Sequence, residues 1–251
     1  MKMSHTPEEQ RELLHILNML SIQRAVGKRK VRVGAPHDGG YVMLDDFSGL
    51  TECYSLGIGP DVSWDMDMAQ RGLEIFQYDH TVTAPPQSHP RFRHFKTGIW
   101  HTDDAPNMKR LSTLLKENHH HRRDSLVLKM DIEGCEWDVL DEMDPKDLLP
   151  FKQIVCEIHA LQICSADSFR KRAVRAIANL TQYHQPIHIH GNNFTDMYYI
   201  HGIAVPDCIE LTLARKYDYQ FEDETSLFPT SLDFPCALDR PEMILGAFRY
   251  S

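Results

Sequence analysis

The sequence predicts an α/β fold: a mostly parallel sheet with helices on both faces and an antiparallel closing strand. From residue 53 onward β-like and helical patterns alternate. Repeated βα units imply parallel strands, because each return to the sheet needs a crossover. Glycines and carboxylates recur where the β-like runs stop, which is where ligands of open α/β sheets gather. With 251 residues, 42% hydrophobic and 25% charged, the chain is long enough for one such domain. Its ordinary composition excludes disordered, collagen-like and coiled-coil classes.

The first helix is announced by Thr6-Pro7-Glu8-Glu9, in which threonine caps, proline fits the first turn and a glutamate returns a hydrogen bond. Leu13, Leu14, Ile16, Leu17 and Leu20 supply its apolar stripe. Residues 1–29 are therefore expected as an N-terminal helical extension, and 30–251 as a single domain with an extended C-terminal tail. A strand at 30–33 leads into His37-Asp38-Gly39-Gly40-Tyr41, whose glycines permit a tight turn or a close approach to a ligand. Further strands are expected at 52–57, 74–79, 93–98, 125–131, 153–159, 187–190 and 208–214. Helices are expected at 63–71, 108–118, 136–143 and 167–183. A long loop, not a helix, joins the last two strands, so they read as an antiparallel closing pair. After Tyr217, Pro229, Pro235 and Pro241 mark an extended segment wrapping the domain.

Acidic residues outnumber basic ones, 36 to 27, for a formal charge of −9, which argues against a nucleic-acid-binding face. The His119–Arg123 cluster reads as a solvated helix end or loop. No 18-residue apolar run is present and the first residues lack a secretory pattern; the expectation is a cytoplasmic protein without a membrane span, whole or cut from a larger biosynthetic protein or complex. The six scattered cysteines form no C-x-x-C pair and read as reduced core thiols, neither a zinc site nor a disulfide framework.

Three stretches carry chemistry. Tyr54-Ser55-Leu56-Gly57-Ile58-Gly59 runs a strand into glycines before a helix, and Asp79, with His80 beside it, ends the next strand, where a carboxylate can accept both ribose hydroxyls. That pairing suits a dinucleotide as well as S-adenosylmethionine. Next, residues 126–137 deliver Asp131 and Glu133 to the sheet edge; Glu136 fits as a first-turn helix carboxylate, and Asp131 is placed for acid–base or metal work. Third, Glu157 and His159, and likewise His188 and His190, share a strand face by alternation. Trp64, Trp100 and Trp137 read as packing residues, Trp100 being the one nearest an expected adenine position.

Taken together, Asp38-Gly39-Gly40-Tyr41, Ser55-Leu56-Gly57-Ile58-Gly59, Tyr78-Asp79 and above all Lys129-Met130-Asp131-Ile132-Glu133-Gly134-Cys135-Glu136-Trp137 resemble the FkbM-like branch of class I S-adenosylmethionine-dependent methyltransferases. The last string is similar to that family's K-x-D-x-E-G-x-E signature, and the resemblance covers residues 30–215. In the glycine turn, Ser55 stands where methyltransferases commonly carry an acid. The resemblance implies a Rossmann-like class I methyltransferase fold with seven strands, and O-methyl transfer to a hydroxyl, commonly of a sugar or a small natural product. Gly57, Gly59, Asp79, His80 and Asp131 would meet the cofactor, and Asp131 would also face the acceptor.

Two chemical roles suit the third stretch. His159 or His190 can act as a base alongside Asp131; alternatively Asp131, Glu157, His159 and His190 can hold Mg²⁺ or Mn²⁺. Asp38, Tyr41, Asn192 and Asn193 are candidates for binding a sugar in a glycan or polysaccharide. The alternatives are a NAD-type oxidoreductase, supported by G-x-G plus an acid, and a carbohydrate-binding or scaffold domain without turnover.

Overall fold

A computed structural model describes residues 6–250. Seven strands form the central sheet: β1 (Glu52–Leu56), β2 (Glu74–Tyr78), β3 (Phe92–Phe95), β4 (Leu126–Met130), β5 (Phe151–Ile158), β6 (His184–Gly191) and β7 (Ile209–Arg215). Their spatial order is β6-β7-β5-β4-β1-β2-β3. Strands β3, β2, β1, β4 and β5 are mutually parallel, and β7 inserts antiparallel between β5 and β6. The order reverses between β1 and β4, so the crevice beyond their carboxyl ends is the topological switch point, where open α/β sheets bind ligands. This is the mostly parallel sheet with an antiparallel closing strand that the βα alternation predicts, in the seven-stranded form that the family resemblance implies.

Central strands carry apolar residues on both faces because both are covered. Leu126, Val127, Leu128 and Met130 of β4 are all essentially inaccessible. On one face, α1 (Pro7–Met19), α3 (Leu111–Glu117), α4 (Glu136–Glu142) and α5 (Asp167–Thr181) contribute to the main core. The opposite face is covered beside β1 and β2 by α2 (Ser63–Gln70), whose Trp64 and Met68 pack against Ile75, and by the hairpin Lys30–Val33/Tyr41–Leu44. Helices do lie on both faces, but unequally.

The capping box at the first helix forms as its sequence requires: the Glu9 N–H donates to Thr6 Oγ1 at 3.2 Å and the Thr6 N–H to Glu9 Oε2 at 2.8 Å. This helix is no appendage, however. Leu13, Ile16 and Leu17 are fully buried in the main core, and Gln23–Ala25 pairs antiparallel with Phe221–Asp223. The segment 1–29 thus belongs to the domain body, as far as its described residues go, because its apolar stripe covers α5.

Several element bounds shift. The strand expected at 93–98 ends at Phe95, β5 begins two residues early at Phe151 and α5 ends at Thr181. Residues 108–109 form a short strand against Gly98–Ile99, so α3 begins only at Leu111; and β6 begins at His184, three residues early, with a bulge at Pro186/His188. The loop after β6 contains the hairpin Met197–Ile200/Ile203–Pro206. The tail is extended as expected, burying Phe228, Cys236 and Phe248.

Candidate active site

The reversal of strand order between β1 and β4 decides what lies at the sheet's carboxyl edge. Where β1, β2 and β4 end, a cleft of about 280 Å³ opens, walled by Gly57, Ile58, Gly59, Asp79, His80 and Asp131, with Asp38, Gly98, Ile99 and Met108 also facing it. Gly57 is obligatory by geometry: its φ is +82°, and a Cβ there would lie 1.6 Å from the Asp131 carbonyl oxygen. Its N–H donates to the Tyr78 carbonyl at 3.0 Å, so one residue joins the ends of three strands. Gly98 is confined less strictly: a Cβ would stand 2.5 Å from Met108 Sδ and 2.6 Å from His80 Nδ1, side-chain atoms that would have to move aside.

Asp79 lies on the wall, as its position after β2 required, but its carboxylate is already engaged. Oδ2 accepts the Ile58 N–H at 2.9 Å, and Oδ1 accepts the Thr81 N–H at 2.7 Å and hydroxyl at 2.6 Å. Burial works against its charge, but these donors outweigh burial and lower its pKa. Asp79 therefore ties the β1 and β2 loops together, leaving Oδ2 with room for another donor.

The 129–137 string builds the other wall, and its residue types have separate reasons. Lys129, almost wholly buried, donates to the Gly57 carbonyl at 2.8 Å and lies 3.6 Å from Asp131. Glu133 (φ +55°) and Gly134 (φ +94°) turn the chain from β4 into α4. Glu136, fully buried, accepts the Ile132 and Gly134 N–H groups, each at 2.9 Å, and pairs with His159 Nδ1 at 3.1 Å. Beyond favouring the helix dipole, Glu136 folds the loop that presents Asp131 and orients a histidine on the neighbouring strand. Trp137 donates to the His159 carbonyl at 2.7 Å and packs edge-on against Phe169.

Beside the cleft, alternation and register place polar residues in rows on the sheet face away from the main core. Glu157 (β5) opposes Glu210 (β7), which opposes His190 (β6). Glu157 is gripped from several sides: Tyr41 donates to Oε1 at 3.2 Å, while Oε2 receives Asn192 Nδ2 at 3.2 Å and Cys208 Sγ at 3.4 Å and lies 3.4 Å from His159 Nε2. Burial, then the Asp131 and Glu210 charges, raises its pKa. Burial pushes Asp38 up to about 6, reinforced by Glu210 and Asp131. For His159, burial opposes the charge, but Glu136, Glu157 and Asp131 prevail and raise its pKa to about 9; for His190, burial is likewise outweighed, by Glu210 and Glu242, to about 10.

These findings sort the sequence expectations. Gly57, Gly59, Asp79, His80 and Asp131 share the cleft, and Asp38 joins them. Tyr41 and Asn192 meet at Glu157, both buried, and so position a carboxylate in place of the direct sugar contact expected of them. Asn193 is corrected: its side chain binds the Ala237 N–H and carbonyl and the Arg240 carbonyl, holding the tail. The set Asp131, Glu157, His159 and His190 does not assemble as four ligands. Nδ1 of His190 faces Glu210 and Nε2 faces Glu242, both at 2.9 Å, leaving no free ring nitrogen. In the metal-free chain neither histidine suits the base role either, since the carboxylates around them favour the cationic ring at neutral pH.

His188 faces Asp233 of the tail at 2.7 Å. Trp100 lines a separate depression with His101 and Arg110, one residue beyond Ile99 of the cleft. Of the histidine–arginine cluster, His120 is buried, its ring edge-on to Tyr54 and Phe76. All six cysteines are free thiols, five of them buried. Lys129, Gly98, Met108, Glu210 and Cys208 went unread as site residues. For Lys129 and Glu210 the missed signal was a charged residue in the middle of an apolar strand.

A cleft at the switch point of a 3-2-1-4-5-7-6 sheet, closed by glycines and strand-end carboxylates, defines a class I methyltransferase fold. The methyltransferase FkbM domain family matches residues 50–183, which include the cleft-forming strands and the 129–137 string. The chain belongs to the FkbM methyltransferase family. It is 34% identical over 138 residues to probable methyltransferase-like protein 24 of Rattus norvegicus and 33% identical over 139 residues to that of Homo sapiens. Each match covers 47% of this chain, and 38% and 37% of those proteins, so the chain spans under two-fifths of the length of the curated relatives it matches. Among solved structures, a putative hemolysin from Streptococcus thermophilus is similar at a TM-score of 0.39 and 12% identity, over 78% of this chain and 76% of that one; so distant a likeness carries no argument about function.

Proposed function

We propose that the chain transfers a methyl group from S-adenosylmethionine to a hydroxyl of a sugar, in a glycan or polysaccharide. The observation that carries this reading is the continuity of the switch-point cleft with the acidic face beside it through Asp131 and Asp38. The residues fit the donor. Ile58, Ile99 and Met108 give an apolar slot suited to adenine, Asp79 Oδ2 offers an acceptor for a ribose hydroxyl, and Asp61 and Asp131 give carboxylates suited to the ammonium end. The donor supplies an electrophilic methyl group on a sulfonium.

The chain's own residues then have two tasks, to orient the acceptor hydroxyl and to take its proton. With His159 and His190 cationic, the base is Asp38. Its carboxyl, at about 6, is ionised at neutral pH yet more basic than an ordinary aspartate. Asp131, which lines the same cleft, accepts a hydrogen bond from the acceptor and sets its approach. Carboxylates bind polyols by accepting from hydroxyls, which supports a sugar over an apolar acceptor.

The test is an acceptor library with isotope-labelled methyl donor, read by mass spectrometry. Labelled sugar acceptors are expected. In Asp38→Asn, turnover should fall by roughly 10²–10⁴-fold with the donor KM little changed; label on an amine or a thiol alone, or an Asp38→Asn variant of undiminished turnover, would contradict the reading.

A further inference from the structure

Glu157 Oε2 is a point of convergence that hydrogen bonding alone leaves unusual. A histidine nitrogen and a cysteine sulfur approach it, both at 3.4 Å. His159 Nε2, Cys208 Sγ and the Glu157 oxygen all lie within 4.8 Å of one another. Zinc binds histidine nitrogen at about 2.0–2.1 Å, carboxylate oxygen at about 2.0–2.2 Å and cysteine sulfur at about 2.3 Å, so tetrahedral geometry separates its ligand atoms by about 3.3–3.6 Å. The two separations found here fall in that interval.

We propose that Glu157, His159 and Cys208 form a zinc-type metal site at the edge of the sheet beside Asp131. Register explains why three residues that look unrelated in the sequence meet there. Glu157 ends β5 facing away from the main core, His159 lies two residues on along the same face, and Cys208 directly precedes β7, which runs antiparallel beside β5.

Independent support comes from the residues behind the ligands. Metal-bound histidines nearly always donate their other ring N–H to a carboxylate or carbonyl, which fixes the tautomer. Glu136, fully buried, occupies that position on His159 Nδ1, so Nε2 is aimed at Glu157. Tyr41 holds the other Glu157 oxygen. The neighbouring group His190, Glu210 and Cys236 has similar composition, and Glu242 backs its histidine in the same way, but His190 and Cys236 bond different Glu210 oxygens, each at 2.9 Å, closer than ligands of one tetrahedral ion stand. One imidazole, one thiolate and one carboxylate select zinc or a similar borderline ion over Mg²⁺, which prefers all-oxygen octahedra. Three protein ligands leave one coordination position open. That position offering itself to an acceptor hydroxyl would rest on the methyl-transfer reading; the site itself does not.

The test uses the purified chain and no activity. Titration with Zn²⁺ followed by elemental analysis should give roughly one equivalent retained per chain. Titration with Co²⁺ should give the intense near-ultraviolet thiolate charge-transfer band together with visible bands of tetrahedral strength. Cys208→Ser should abolish the charge-transfer band, Cys236→Ser should keep it, and Glu136→Gln should weaken Zn²⁺ binding by roughly 10–100-fold. No metal retained by the folded wild-type chain, a Co²⁺ spectrum without the thiolate band, or loss of that band in Cys236→Ser but not in Cys208→Ser would each overturn the proposal. The wild-type spectrum keeps it falsifiable even if a variant misfolds.

Discussion

A buried carboxylate that accepts from two backbone N–H groups and a histidine ring cannot be replaced without loss even by its own amide. In Glu136→Gln one acceptor becomes an NH₂ facing either N–H donors or the ring. The expected destabilisation is about 1–3 kcal/mol, the cost of leaving a buried donor unsatisfied, measured by urea unfolding; stability equal to the parent would show that Glu136 does not organise the loop. At this scale the sequence was half-readable. Strand alternation correctly put Glu157 with His159 and His188 with His190, and the strand-then-glycine pattern identified Gly57. What alternation cannot show is the partner of each group. Asp79 has the position of a ribose acceptor, but the donors folded onto it, Ile58 and Thr81, are set by loop conformation. His190 looked like a ligand until Glu242, 52 residues away in the tail, appeared on its second nitrogen.

Among the elements, the first helix carries the clearest expectation. It buries Leu13, Ile16 and Leu17 against the main core and covers α5, so it holds up the domain even though it contributes nothing to the cleft. Leu17→Ala should cost about 2–5 kcal/mol, seen as a lower midpoint of denaturant unfolding, while donor affinity in the variant that stays folded should be unchanged. A cost below about 0.5 kcal/mol, the range of a surface substitution, would mean that the helix is an independent extension after all. The sequence signalled this helix strongly through its capping box and leucine stripe, because both are local. Where the stripe docks is a long-range fact, and it went unread for that reason. The same holds for 108–109, where a segment of helical pattern instead pairs with Gly98–Ile99, tertiary pairing having overridden a weak local preference.

Over the whole molecule, the mostly parallel sheet and its antiparallel closing strand follow from connection lengths and crossover rules, which is why they were legible from the alternation of patterns, whereas the order of the strands is a long-range fact that the alternation did not give. Stability against acid is likewise a property of the whole molecule. His184 is buried and neutral, its Nε2–H facing the Phe151 carbonyl at 2.8 Å, and burial lowers its pKa to about 4. Between about pH 6.5 and 4 the unfolded chain binds a proton there that the folded chain refuses, so the contribution of His184 to stability is full above about 6.5 and falls by roughly 3 kcal/mol as pH drops through that window. Glu224 acts below it. Burial opposes its charge, but Lys30, at 3.0 Å, and the Ser226 N–H prevail and hold it at about 2. Its contribution, of order 1–3 kcal/mol for a charged hydrogen bond, is present above its unfolded value near 4.5 and is lost as pH falls through 2. Asp38 and Glu157, whose pKa values are raised, gain stability on acidification over the same range. The test is therefore the difference in urea unfolding between the parent and His184→Gln, which should move by roughly 3 kcal/mol against the parent between about pH 6.5 and 4; a difference that does not change with pH would remove His184 as a cause of acid sensitivity.

Donor binding is the claim on which the functional reading turns, and calorimetric titration of the chain with S-adenosylhomocysteine and, in parallel, NAD measures it directly. Saturable binding of S-adenosylhomocysteine at one site per chain is expected, with affinity falling at least about tenfold, or 1.4 kcal/mol, in Asp79→Ala as the Ile58 and Thr81 loops lose their shared acceptor, and no heat is expected from NAD. Saturable binding of NAD with none of S-adenosylhomocysteine would contradict the methyl-transfer reading and turn the same cleft into that of an oxidoreductase.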